Sequence, residues 1–137
     1  GSGAMTKQLM QRLGLPFELL GIDVICNRAL IATDVTEQEL YDLMRSNRLE
    51  IIVSPIGGQG FLFGRGNHQF SARVLRCVGK AGITVLATVE KLLSIRSGEL
   101  RIDCGNEEVN MLLSGYYRVI AGYHYSIILP CNREMMK

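Results

Sequence analysis

Tryptophan is absent from this sequence, proline occurs 3 times and histidine 2 times, and its 4 cysteines stand far apart. Without a Cys-x-x-Cys pair there is no zinc knuckle and no redox dithiol, so Cys26, Cys77, Cys104 and Cys131 read as reduced thiols in core or near-surface settings. Runs of Lys and Arg are missing too. The 15 basic and 13 acidic residues are spread along the chain and leave a net charge of +2, which gives no footprint for nucleic acid or an anionic membrane. No apolar run approaches the roughly 20 residues that span a bilayer. No charged-then-apolar leader with a cleavage site is visible either, and the expected compartment is the cytoplasm.

Glycine is what the chain has in excess, with 15 in 137 residues. A length of 137 residues is one domain's worth, and such a domain buries roughly two-thirds of its unfolded surface without needing a staple. An apolar share of 47% with 20% charged residues is that of a soluble globule. We expect one α/β domain over residues 1–137, with residues 131–137 as a disordered tail.

Periodicity and capping residues divide the chain. Residues 6–13 place Leu9, Met10 and Leu13 on one helical face and stop at Gly14-Leu15-Pro16. Residues 18–25 and 29–33 are apolar strands joined by Asn27-Arg28 as a hairpin. Thr36-Glu37-Gln38-Glu39 is a capping box that opens a helix carrying Leu40, Leu43 and Met44. Residues 49–53 form an apolar run of the kind buried on both faces of a parallel sheet. Ser71, Thr88 and Asn106 cap three further helices, with strands at residues 83–87 and 100–102 between them. Residues 116–129, interrupted at Gly122, read as two strands or one bent strand. Strands alternating with capped helices predict a mostly parallel, Rossmann-like sheet with helices on both faces.

In such a sheet ligands bind beyond the carboxyl ends of the strands, and the loop at residues 54–69 leaves from one of them. Gly57, Gly58, Gly60, Gly64 and Gly66 clear side chains from its path, so that backbone amides can point inward as an anion nest. Gln59 and Asn67 add amide groups, and Arg65 adds a planar donor fork suited to phosphate. The alternative is that these glycines only shape a bend. The spacing matches neither the P-loop nor the dinucleotide fingerprint, so glycine content specifies an anion and not its identity. His68 is an acid/base candidate or a polar loop residue. Asp34 either reaches a ribose or metal or supports the Thr36 cap, and Asp23 lies near another strand end. His124, between two tyrosines, reads as a structural histidine. No metal site is legible. Gly1-Ser2-Gly3-Ala4 is either native sequence or an expression scar.

The stretch Ser54-Pro55-Ile56-Gly57-Gly58-Gln59-Gly60-Phe61-Leu62-Phe63-Gly64-Arg65-Gly66-Asn67 closely resembles a signature of the bacterial and archaeal ATP-NAD kinase family that includes acetoin-cluster members. The resemblance continues through Leu20-Gly21-Ile22-Asp23-Val24, Ala32-Thr33-Asp34-Val35, Ala87-Thr88-Val89-Glu90-Lys91-Leu92 and the stretch from Ser114 to Tyr123. It covers the C-terminal part of that family's polypeptide. What it implies is a nucleotide- or dinucleotide-binding domain of a phosphotransferase that makes NADP from NAD, with ATP, NAD and a divalent metal such as Mg as the family's cofactors. The family's Gly-Gly-Asp-Gly segment, which engages nucleotide and supplies an acidic catalytic residue, is absent from this sequence, so the chain alone is expected to be inactive.

The resemblance also places a Gly-Pro-Gly-Thr-Thr type turn at Gly1-Ser2-Gly3-Ala4-Met5-Thr6, making Gly1, Ser2, Gly3 and Thr6 secondary candidates for phosphate binding. Regular NAD kinases carry a Thr-Pro-Thr-Gly-Ser-Thr-Ala-Tyr motif in a β-rich domain, of which Ser54-Pro55-Ile56-Gly57 echoes only the start, so a β-rich fold is the alternative. Residues 57–102 show a lesser likeness to ribose-5-phosphate isomerase. Two other functions follow from these features: a non-catalytic sensor of a phosphorylated metabolite, and a sugar-phosphate isomerase using Asp34 and His68. The expected partner is a phosphorylated small molecule or dinucleotide, with residues 116–129 offering a surface for homo-oligomers.

Overall fold

The computed structural model describes residues 22–26, 29–31, 35–65 and 67–136. Six strands form one sheet: β1 (Ile22–Cys26), β2 (Ala29–Ile31), β3 (Leu49–Val53), β5 (Ile83–Leu86), β7 (Gly115–Gly122) and β8 (Tyr125–Cys131), in the order β2-β1-β3-β5-β7-β8. The central strands β3, β5 and β7 are parallel. An antiparallel hairpin flanks them on each side, β1–β2 at one edge and β7–β8 at the other, with β1 also antiparallel to β3. The α/β class expected from the capped helices is the class that forms, and the β-rich alternative is not.

Among the described residues four α-helices connect the strands, and each begins where a cap residue predicts. They are α1 (Glu37–Met44), α2 (Ala72–Val78), α3 (Val89–Ser94) and α4 (Glu107–Leu112). The side-chain oxygens of Thr36, Ser71, Thr88 and Asn106 accept the amides of Glu39, Val74, Lys91 and Val109, each such cap contributing about 1 kcal/mol. The chain steps from β3 to β5 to β7 in one direction, so right-handed crossovers put α2 and α4 on the same face. They touch each other there, and α1 touches α2, so these three helices form one layer.

Between that layer and the sheet lie Ile51, Val53, Val74, Leu75, Val85, Val109 and Leu113, all buried. Ile52 and Leu86, which point to the opposite face, are also buried, so the central strands are covered on both sides there, while Glu50 at the start of β3 is exposed.

Three expectations need correction. The glycine stretch is not one open loop. Ile56 bridges Phe61 across a four-residue turn, and Phe61–Phe63 forms a short buried strand, β4, parallel to β6 (Arg101–Ile102). Nor is the tail without order. Cys131 belongs to β8, Asn132 is 1% exposed, and a 3-10 turn follows at Arg133–Met135. Asn132 adopts a left-handed conformation (φ 51°, ψ 57°) and pairs with the Ile102 backbone, accepting its amide at 3.0 Å and donating to its carbonyl at 2.9 Å. That pairing satisfies a strand edge that would otherwise be buried without partners.

His124 is also displaced from its expected place in a strand. It is an exposed turn residue with φ 55° between β7 and β8, edge-on to Tyr123. No helix among the described residues is long and apolar enough to cross a membrane.

Candidate functional site

Beyond the carboxyl end of β3, the turn at residues 57–60 and the segment at residues 95–105 face one another. β4 and β6 zip them together, with Asp103 N donating to Phe63 O and Arg101 N donating to Gly60 O. The approach is close enough to explain two of the glycines. A Cβ on Gly60 would lie 2.6 Å from Glu99 O, and one on Gly64 would lie 2.2 Å from Asp103 O. These two serve packing. The other end of the turn is open, with nothing within 4 Å of a Cβ on Gly57 and only Ser94 O, at 3.7 Å, near one on Gly58.

This open end borders a cleft of about 760 Å³ lined by Gly58, Gln59, Phe61, Arg65, Arg96, Ser97, Arg101 and Asp103. Three guanidiniums therefore converge on the glycine turn. Arg65 lies over the Phe61 ring at 4.5 Å, a cation–π contact that holds its fork at the cleft wall. Arg101 is ion-paired to Glu99 at 2.8 Å and to Glu134 at 3.0 Å, so its charge is largely spent within the protein. Arg65 and Arg96 have no carboxylate within ion-pair distance among the described residues. These two are the charges a ligand would meet.

The remaining candidates separate. Gln59 and Arg65 line the cleft. Asn67 instead holds the chain's own backbone, accepting from Gly64 N at 3.2 Å and donating to Leu62 O at 3.4 Å. His68 is exposed and lines a second, smaller cavity of about 310 Å³, where its neighbours are Gly64, Asn67, Ser71, Asp103 and Cys104. Gly1, Ser2, Gly3, Thr6, Asp34 and Gly66 lie outside the described residues, as does residue 23 beyond the pairing of its backbone with Ile52.

Sequence reasoning missed Arg96, Arg101 and Asp103. Their signal was weak, because single charged residues some 35 positions from the glycines advertise nothing until β6 pairs with β4. Asp103 is the most constrained of them. Its Oδ1 accepts from Gly105 N at 3.1 Å and from Asn110 Nδ2 at 3.2 Å.

The donor set decides what the cleft can hold. Guanidinium forks suit phosphate and carboxylate oxygens. A hard divalent cation needs oxygen ligands, and no group of three His, Cys, Asp or Glu side chains gathers anywhere among the described residues. Mg needs only one or two carboxylates beside the phosphates of a ligand, so Asp103 is the residue of this cleft that would help to hold it, and we derive no step through a metal.

No curated protein and no solved structure matches the chain. A family model, the ATP-NAD kinase C-terminal domain, matches residues 6–130, which span both walls of the cleft. The chain therefore belongs to the ATP-NAD kinase C-terminal domain family.

Proposed function

We propose that this domain binds the phosphates of a nucleotide or dinucleotide in the arginine-lined cleft, as the C-terminal part of an ATP-dependent NAD kinase that converts NAD to NADP in the cytoplasm. One observation carries the reading: Arg65 and Arg96, unpaired among the described residues, flank the open side of the glycine turn. The amides of Gly57, Gly58 and Gln59 donate to no other described residue, so they add donors for an anion. The role is to bind and orient. Acidic chemistry would come from outside this sequence, where the family's Gly-Gly-Asp-Gly segment belongs.

Calorimetric titration with NAD, NADP, ATP and pentose phosphates tests this. A dinucleotide should bind preferentially, and R65A or R96A should each weaken it by about 10-fold, the loss of one charge-assisted hydrogen bond. Gly58→Val should weaken binding with little loss of stability, since its Cβ has room. Unchanged affinity in all three variants would return the turn to a purely structural role. The chain alone should not phosphorylate NAD, and a kinase assay showing NADP formation would refute that.

A second reading is a non-catalytic sensor of a phosphorylated metabolite, and the same arginine-lined cleft supports it. Pentose phosphate binding in preference to NAD would shift weight to the sensor or to a sugar-phosphate isomerase.

A further inference from the structure

The large cleft and the small cavity share one residue, Asp103. Around it the chain is unusually fixed for an exposed loop. Its amide donates to Phe63 O at 3.2 Å, its carbonyl lies against the Gly64 Cα, and its Oδ1 is held by the Gly105 amide and the Asn110 carboxamide. Asn110 is itself 6% exposed and anchored at its Oδ1 by the Cys104 amide at 2.9 Å. The carboxylate is thus oriented from a buried support, while Oδ2 has no partner among the described residues. On the small-cavity side Asn67 and Ser71 are committed to their own neighbours, which leaves His68 as an uncommitted polar side chain.

Resting on the phosphate reading above, we propose that the two cavities form one two-part site: Arg65 and Arg96 hold a phosphate, and Asp103 with His68 binds hydroxyls of the sugar that carries it. A carboxylate oxygen with one lone-pair face free is a strong hydroxyl acceptor, and a neutral imidazole can donate or accept beside it. A bare carboxylate at the edge of a phosphate site would repel an anion unless something between them takes up its hydrogen-bonding capacity. A sugar hydroxyl does so. The subsite therefore selects sugar phosphates over phosphate esters that lack hydroxyls, and the ligand class is a ribose phosphate, free or within a nucleotide.

The test compares ribose 5-phosphate with methyl phosphate, a monoester without hydroxyls, by NMR titration of the whole chain. Ribose 5-phosphate should bind at least about 10-fold tighter, the equivalent of one hydrogen bond to a charged group. D103N keeps an oxygen acceptor for Gly105 and Asn110, so its melting temperature should be close to that of the parent. It should lose the preference for the sugar phosphate while binding methyl phosphate as well or better, one negative charge having gone. H68A, a change at an exposed side chain, should erode the same preference.

If the parent protein binds both ligands equally, or D103N shifts both by one factor, the subsite is overturned and the phosphate reading survives. If neither ligand binds the parent, the phosphate reading falls and takes the subsite with it. The comparison in the parent protein depends on no variant.

Discussion

A Cβ placed on Gly64 would stand 2.2 Å from the carbonyl oxygen of Asp103, closer than any packed side chain is found. At φ +109° Gly64 is also in a conformation that L side chains rarely adopt. Gly64→Ala should therefore cost about 3 kcal/mol or more, the sum of backbone strain and overpacking. Gly57→Ala, with a similar sign of φ but open space, should cost only about 1 kcal/mol. Urea unfolding of the two variants measures the difference. Equal losses would show that the β4–β6 approach is looser than described.

The side chain of Asn132 supplies both halves of a strand pairing to Ile102 from a buried, left-handed position. Asn132→Ala leaves the Ile102 amide and carbonyl without those partners and places an alanine at φ 51°, so we expect a loss of about 3 kcal/mol. Asn132→Gly removes the strain but not the orphaned groups and should recover only part of it. Thermal melting of both variants separates the two contributions.

Arg96 and Arg101 line the same cleft but should fail differently. Arg96→Ala should reduce phosphate affinity with stability within about 0.5 kcal/mol of the parent. Arg101→Ala also strips Glu134 of its cation and leaves Glu99 only its 3.9 Å pair with Arg133, so affinity should fall further and melting temperature should drop. Paired calorimetry and melting curves check this, and identical behaviour would mean that the Arg101 ion pairs carry no weight.

Glu37 is gripped by Arg73 through two 2.7 Å hydrogen bonds and also accepts from Ser71, which brings its carboxyl from an ordinary 4.5 down to about 2. A depressed folded-state value means that this contact stabilises fully above about pH 4.5 and is lost as pH falls toward 2. Glu37→Gln should flatten the acid limb of the stability curve in that window. The contact is solvent-exposed, so the change should be small and should shrink in high salt.

Burial pushes the Cys131 thiol up to about 12, with the nearby Glu99 adding to the effect, whereas Cys77 is exposed. At neutral pH a thiol reagent should therefore label Cys77 in the folded protein and reach Cys131 only on unfolding. Mass spectrometry of partially labelled protein reads the order directly.

Much of the scaffold was legible in the sequence because its determinants are local. Thr36, Ser71, Thr88 and Asn106 each mark a helix start with a group that must sit within three residues of the amide it accepts. The predominantly apolar runs at β3 and β5 correctly implied parallel strands covered on both faces, with Glu50 as an exposed exception. What stayed hidden is non-local. Phe61-Leu62-Phe63 lies between two glycines and is too short to announce a strand, and its partner arrives from residues 101–102. The site followed the same division: Gln59 and Arg65 came from the glycine stretch, whereas Arg96, Arg101 and Asp103 appear only once β4 and β6 meet. The tail was misread because Asn132, a polar residue among polar residues, carries its structural role in side-chain bonds to Ile102, 30 residues earlier.

The pairing of β4 with β6 has a consequence for how such a site can be inherited or moved. Residues 54–71 and residues 95–105 each supply one wall, and each belongs to a different connection of the sheet. Neither wall works as a module. A graft of the glycine turn into another scaffold, or a change in its length, would bring Gly60 and Gly64 against a surface not shaped for them. The binding surface is portable only as two separated stretches of chain, transferred together and in register.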